Sequence, residues 1–258
     1  MGRTRFLMNA MRFLQSFPIL TLVFANVPSG AVGPQVPGSM QSVVRGRIEI
    51  LNPKVRLRGG GADASGVVVW LIPSKGVPKP ESVVQPRGRL EQRDKRFVPH
   101  IMVIQVGTEI DFPNNDPFFH NVFSLFDGKT FDLGLYANGE SRPVRFNRPG
   151  TSYLYCNIHP QMSAVIVTVE TPYFTISAPD GYFSIQNVPT GSYELRLWHE
   201  RSDARQLAAL SRPVLVESAV ADLGIFQLDE AGYIPRTHKD KHGNEYDSER
   251  NQPAYQRP

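Results

Sequence analysis

The 258-residue chain is 41% hydrophobic and 20% charged, a globular composition with room for two small domains. Its formal charge of +4 drops to +1 once the first 31 residues, which hold three Arg and no Asp or Glu, are set aside. So neutral a body makes no case for nucleic-acid binding, and 21 Gly with 22 Pro favour many turns, few long helices and an all-β fold.

At the N-terminus, Arg3, Arg5 and Arg12 precede an apolar run from Phe17 to Val27, and Ser29-Gly30-Ala31 has the small-x-small form of an export cleavage site. Residues 1–31 therefore read as a signal peptide cleaved after Ala31, which makes the mature chain periplasmic or secreted. The competing reading is a membrane-spanning helix, but the run falls short of the roughly 20 apolar residues that spanning needs. Residues 32–41, rich in Gly, Pro, Ser and Gln, form a linker.

Val43 to Ile50 alternates apolar with charged residues, the period of a half-buried strand, and Gly66 to Ile72 is a continuous apolar run that predicts a fully buried one. Residues 73–88 hold four prolines and form a connection. From Arg89 onward, short strands alternate with turns: Leu90–Phe97, His100–Val106, Glu109–Phe112, His120–Phe126, Phe131–Tyr136, Pro143–Phe146, Ser152–Tyr155 and Ser163–Glu170. That spacing predicts a β-sandwich. A second small sandwich follows. Tyr173–Ser177 and Tyr182–Ile185 are expected to form a hairpin across Pro179-Asp180-Gly181, with further strands at Tyr193–Trp198, Pro213–Glu217 and Ala221–Leu228. Residues 229–258 are polar, lack an apolar period and are expected to form a disordered tail.

The stretch Cys156-Asn157-Ile158-His159-Pro160-Gln161-Met162 concentrates a thiolate, an imidazole and a thioether between two predicted strands. A lone cysteine in an exported chain cannot form an internal disulfide; it is either a buried, inert residue or a metal-bound thiolate. The soft donor set favours copper, and a second imidazole, with His120 the candidate, would complete a His2Cys plane with a weak axial Met. Structural zinc is the main alternative, but such sites normally draw on two or more Cys or His pairs. His100 and His199 read as locally hydrogen-bonded residues, and His238 and His242 as weak candidates for adventitious metal binding.

Phe112-Pro113-Asn114-Asn115-Asp116, then His120-Asn121-Val122-Phe123, and later Tyr155-Cys156-x-x-His159-Pro160-x-Met162, resemble the cupredoxin family over about residues 86–170. The short Cys-x-x-His-x-x-Met loop is most similar to amicyanin, and the longer pattern to plastocyanin-like methylamine-utilisation proteins. The resemblance implies a Greek-key sandwich binding one type 1 (blue) copper through His120, Cys156, His159 and Met162. It also implies that Asn121, beside the first ligand, ties the two ligand-bearing loops together.

The Asp-Gly-Tyr-Phe and Val-Pro-x-Gly-x-Tyr turns of residues 173–228 resemble carboxypeptidase-regulatory or transthyretin-like sandwiches, classed with carbohydrate-binding-like folds. Such domains open with strands like 43–50 and 66–72. One sandwich split into residues 43–73 and 173–228, with the cupredoxin of 86–170 inserted, accounts for this order; the alternative gives 43–73 to the cupredoxin sheet. The expected function is one-electron transport with transient redox partners. A copper-binding scaffold whose C-terminal sandwich holds a glycan or cell-envelope partner is the second reading. A copper enzyme is disfavoured, since the chain has no His-x-His pair for a catalytic copper.

Overall fold

The computed structural model describes residues 41–77, 87–125, 127–235 and 238–246. The expected signal peptide, nearly all of the linker, most of the Pro-rich connection and everything past Tyr246 lie outside the described residues. No helix among the described residues is long and apolar enough to cross a membrane.

The fold is all-β. It begins with β1 (Gln41–Leu51) and β2 (Val68–Pro73), then runs through the short strands β3 (Gly88–Arg89), β4 (Glu91–Arg93) and β5 (Arg96–Val98). Next come β6 (Ile101–Gln105), β7 (Glu109–Pro113), β8 (His120–Ser124), β9 (Phe131–Tyr136), β10 (Ser141–Arg145), β11 (Gly150–Tyr155) and β12 (Ser163–Val169). The chain continues with β13 (Phe174–Ile176), β14 (Tyr182–Pro189), β15 (Gly191–Trp198), helix α1 (Ala204–Leu210), β16 (Arg212–Val216) and β17 (Val220–Asp229).

Four sheets stack in layers, in the order β14-β1-β17, β13-β2-β15-β16, β6-β12-β11-β8-β9 and β10-β7-β3, with β4-β5 as a separate hairpin. Between the first two sheets lies a core containing Val44, Ile48, Val69, Leu71, Phe183, Leu195 and Phe226. Between the last two lies another, with Phe112, Val122, Phe146, Leu154 and Ile166, and it includes Cys156 and Met162. The two middle sheets meet through Val68 of β2 and Val165, Val167 and Val169 of β12, flanked by Trp70 and Trp198. This explains the continuous apolar run of β2. Odd and even residues are both covered, so alternation has no reason to arise. Each such valine contributes about 1.5–3 kcal/mol relative to exposure.

Strand pairing departs from local expectation in two places. Leu90–Phe97 is not one strand but the hairpin β4–β5, because Asp94 and Lys95 both adopt φ +54° and form its two-residue turn. The Pro179-Asp180-Gly181 turn is present, and Gly181 (φ +83°) is required there because a Cβ would lie 2.0 Å from the Ile48 carbonyl oxygen. The flanking strands, however, do not form a hairpin. β13 pairs with β2 and β14 with β1, so the turn carries the chain from one sheet to the other. Turn chemistry sets the reversal, while strands 100 residues earlier supply the partners.

Among the described residues, β1 and β2 pair with strands from residue 174 onward and with none of β3 to β12. Helix α1, absent from the sequence expectation, is a two-turn surface element capped by the Asp203 carboxylate, which accepts from Gln206 N–H at 2.8 Å.

The stretch from residue 229, expected to be a disordered tail, has defined contacts over its described part. Asp229 ends β17, and the fully buried Glu230 accepts from Lys54 N–H (2.6 Å), Arg201 Nε (2.7 Å) and His199 Nε2 (3.0 Å). Residues 238–246 lie against the loop after β11. Polar and aromatic contacts hold them, which an apolar period cannot reveal.

Candidate metal centre

β11 and β12 pair antiparallel from Gly150↔Thr168 to Tyr155↔Ser163, so residues 156–162 form the loop that closes this hairpin. Within it Met162 N–H donates to the His159 carbonyl at 3.0 Å, and Cys156 N–H to the Met162 carbonyl at 3.4 Å. These bonds fold the loop back on itself. β8 lies beside β11 through Tyr155↔Phe123, which brings His120, the first residue of β8, to the same end of the sheet.

The turn before β8 is built by its own side chains. Asn114 Oδ1 accepts from Asp116 N–H at 3.0 Å, and its amide donates to the carbonyls of Phe118 (2.8 Å) and Tyr136 (3.1 Å). This Asx-type arrangement fixes the approach to His120. Asp116 then accepts from Asp94 N–H (2.6 Å), Lys95 N–H (2.9 Å) and His120 Nε2 (2.7 Å). The hairpin turn with two positive φ values thus presents its N–H groups to the carboxylate that orients the histidine. Burial acts to raise the Asp116 carboxyl, but these donors outweigh it and hold it below the ordinary carboxylate range.

With the proton of His120 on Nε2, its Nδ1 lone pair faces inward. His120 Nδ1 lies 3.1 Å from His159 Nδ1 and 3.9 Å from Cys156 Sγ, and His159 Nδ1 lies 3.6 Å from the same sulfur. His120 and Cys156 are fully buried and His159 is half-buried. A metal ion about 2.0 Å from each nitrogen and about 2.3 Å from sulfur, centred in a trigonal plane, separates the nitrogens by about 3.5 Å and each from sulfur by about 3.7 Å. The sulfur distances of 3.6 and 3.9 Å bracket that value and the nitrogens, at 3.1 Å, are slightly closer, so these three residues could hold an ion.

Electrostatics agree. Burial, followed by the neighbouring His120 and Lys95 charges, pushes His159 down to about 4. Burial lowers His120 as well, against the pull of Asp116. Both rings are therefore neutral at pH 7, with lone pairs free for a cation. Burial also raises the Cys156 thiol, although the backbone N–H groups of Asn121, Ile158 and His159 face the sulfur. A cation entering the triangle displaces that proton.

Met162 is fully buried in the same apolar cluster as Cys156. Asn121 donates through its side chain to Asp132 Oδ1 (2.7 Å) and the Gly134 carbonyl (3.0 Å) on β9, while its backbone N–H faces the Cys156 sulfur. Phe118 packs against both imidazoles, with centroid distances of 5.1 Å to His120 and 5.7 Å to His159.

The remaining histidines lie elsewhere. His100 bonds to the Ser163 carbonyl and Glu200, His199 to Glu230, and His238 stacks on Tyr155. Neither His238 nor His242 belongs to a cluster of three or more such groups; the triangle is the one His, Cys, Asp or Glu cluster of this kind among the described residues. Sequence reasoning missed Asp116 as the partner of His120. Its signal was the spacing of four residues inside a Pro-bounded turn. It also missed His238, Lys241 and Tyr246, for which the chain carries no local signal.

No family model matches the chain, and no curated protein does. Among solved structures it is similar to cupredoxins. A purple cupredoxin from Nitrosopumilus maritimus matches at 21% identity over 32% of this chain and 99% of that one, with a TM-score of 0.30. A mutant of amicyanin in the Cu(I) state matches at 15% identity over 39% and 98%, with a TM-score of 0.31. A copper-containing nitrite reductase from Thermus scotoductus SA-01 matches at 24% identity over 38% of this chain, with a TM-score of 0.32, and the match spans 25% of the reductase.

Proposed function

We propose that this chain is an exported blue copper protein that carries single electrons, with His120, Cys156 and His159 as equatorial ligands and Met162 as the weak axial one. The observation that carries the reading is the triangle of two inward-facing Nδ1 atoms and one buried sulfur, 3.1 to 3.9 Å apart, at one end of a β-sandwich. Its donor set of thiolate and neutral imidazoles suits copper. Bound copper would supply one-electron exchange between Cu(II) and Cu(I).

The protein's own residues hold the donors in place. Asp116 fixes the His120 tautomer, the backbone N–H groups around Cys156 stabilise the thiolate, and Phe118 shields both rings from water. So held, the two imidazoles and the thiolate would need little rearrangement between the two charge states of a bound copper ion. In this reading the half-buried His159 edge is where electrons pass to transient partners, and the protein is not an enzyme.

We further assign the chain to two domains, residues 86–170 being inserted into a sandwich made from 43–73 and 173–228. The pairing of β1 and β2 with strands after residue 174 supports this division. In the second reading, a copper-binding scaffold, this sandwich would hold a glycan or cell-envelope partner.

The test is the visible spectrum of the protein with Cu(II), compared with a Cys156→Ser variant. An intense thiolate-to-copper band lost in the variant is the expected result. A protein that binds no copper, or binds it equally well without Cys156, sinks the proposal.

A further inference from the structure

The C-terminal segment 238–246 returns to the outer side of the loop that carries Cys156 and His159. Tyr246 donates its hydroxyl proton to the Cys156 carbonyl at 2.7 Å. The His238 ring lies between two tyrosines, stacked on Tyr155 at 4.1 Å and edge-on to Tyr246 at 5.1 Å, with its Nδ1 3.0 Å from the Tyr246 oxygen. The Pro160 carbonyl faces the same ring. The segment therefore touches the ligand loop at Tyr155, Cys156, Asn157 and Pro160.

Lys241 makes the most consequential contacts. Its backbone N–H donates to Asn157 Oδ1 at 2.9 Å, directly after Cys156. Its ammonium donates to Asp132 Oδ2 at 2.7 Å, and the other oxygen of Asp132 holds the Asn121 amide, directly after His120. One residue of the C-terminal segment thus connects the two chain segments that present the ligands. The Asn121 side chain bonds to Asp132 and Gly134, so beside the direct approach of its backbone N–H to the Cys156 sulfur a second connection runs from Asn121 through Asp132 and Lys241 to Asn157. Asp240 stabilises the turn that delivers Lys241, accepting from His242 N–H (2.9 Å) and Asn244 N–H (2.8 Å).

We propose that residues 238–246 are a strap that sets the geometry of the metal site, with Lys241 bridging the Cys156 and His120 segments and Tyr246 pinning the Cys156 carbonyl. This role rests on the metal-binding reading above. The seven loop residues that carry Cys156, His159 and Met162 have two backbone–backbone hydrogen bonds among themselves, Cys156 N–H to Met162 and Met162 N–H to His159. Without an external clamp the loop is free to relax, and a site held 1 Å too loosely loses its ligand geometry. The strap is a positioning element whose groups act through Cys156, Asn157 and Asp132 rather than on the ion.

The experiment compares the full chain with a Tyr246→Phe/Lys241→Met double variant and with Lys241→Arg. Amide hydrogen exchange is followed in metal-free protein, and the spectrum and release of copper to a chelator are followed in loaded protein. In the double variant, exchange of the peptide covering 156–162 should rise about tenfold while peptides from β1 and β14 stay unchanged. Copper release should accelerate several-fold with a shifted thiolate-to-copper band, and Lys241→Arg should stay close to the parent. Unchanged exchange at 156–162 overturns the strap. So does an equal rise in β1 and β14, which marks general destabilisation. If the parent itself gives no thiolate-to-copper band, the copper reading fails, while exchange in the metal-free protein still decides whether the strap holds the loop.

Discussion

Asp116 Oδ2 lies 2.7 Å from His120 Nε2, and both side chains are buried, so the carboxylate decides which nitrogen of the imidazole faces Cys156. Removing it frees the ring to rotate and to change tautomer. Asp116→Ala should weaken metal affinity by about 10- to 100-fold. Competition against a chromophoric chelator measures this, with circular dichroism to confirm the β-fold. An affinity equal to that of the parent would show that the ring is held by packing alone.

Glu230 is a buried carboxylate with three donors, among them Arg201, itself almost covered. Glu230→Ala leaves Lys54 N–H and Arg201 Nε without their acceptor. It should destabilise the protein by about 3 kcal/mol, read as a shift in urea midpoint at unchanged slope. A loss within about 0.5 kcal/mol would mean that water replaces the carboxylate.

His100 and Glu200 form a pair at 2.8 Å whose pH dependence has a defined sign. The hydrogen bond to Glu200 raises His100 above its ordinary 6.5 despite burial, so its contribution is complete below pH 6.5 and fades as pH rises through the folded value. Glu200 is held below its ordinary 4.5 because His100 and Arg201 outweigh the opposing effect of burial. Its contribution is complete above pH 4.5 and fades as pH falls through the lowered value. The pair therefore stabilises most between about pH 5 and 6.5. Since the imidazole is nearly half exposed, the amount is that of a screened pair, about 0.5 kcal/mol. The difference in thermal midpoint between the parent and His100→Asn, followed across pH 4 to 9, should peak in that window; a flat difference refutes it.

Gly181→Ala tests the sheet-crossing turn. At φ +83° with the Ile48 oxygen 2.0 Å from a built Cβ, the substitution combines backbone strain with a clash. A cost of at least about 2 kcal/mol is expected in equilibrium unfolding. A neutral result would show that the turn can move away from β1.

Much of this structure is legible in the chain because it depends on near neighbours. The ligand-loop hairpin follows from apolar strands on either side of Cys156–Met162, and β1 from its alternation of Val44, Ile48 and Ile50 with charged residues. What could not be read depends on distant partners. Nothing near Pro179-Asp180-Gly181 says that β13 and β14 join different sheets, since β2 and β1 decide that from more than 100 positions away. The contacts of residues 238–246 are illegible for the same reason. His238, Lys241 and Tyr246 are held by single polar contacts to residues 84 to 109 positions earlier or by ring stacking, neither of which leaves a period.

The valine seam where Val68 meets Val165, Val167 and Val169 has a practical consequence for dissection of the molecule. Strand β12 belongs to the sheet that carries the Cys156–Met162 loop, yet among the described residues one of its faces is covered by the neighbouring sheet. A fragment cut at residues 86 and 170 would carry that row of valines onto its own surface beside Ile101 and Val103, and would also lose the segment that grips the ligand loop. Such a fragment would expose an apolar row able to pair with a second copy, so the full chain is the form to assay.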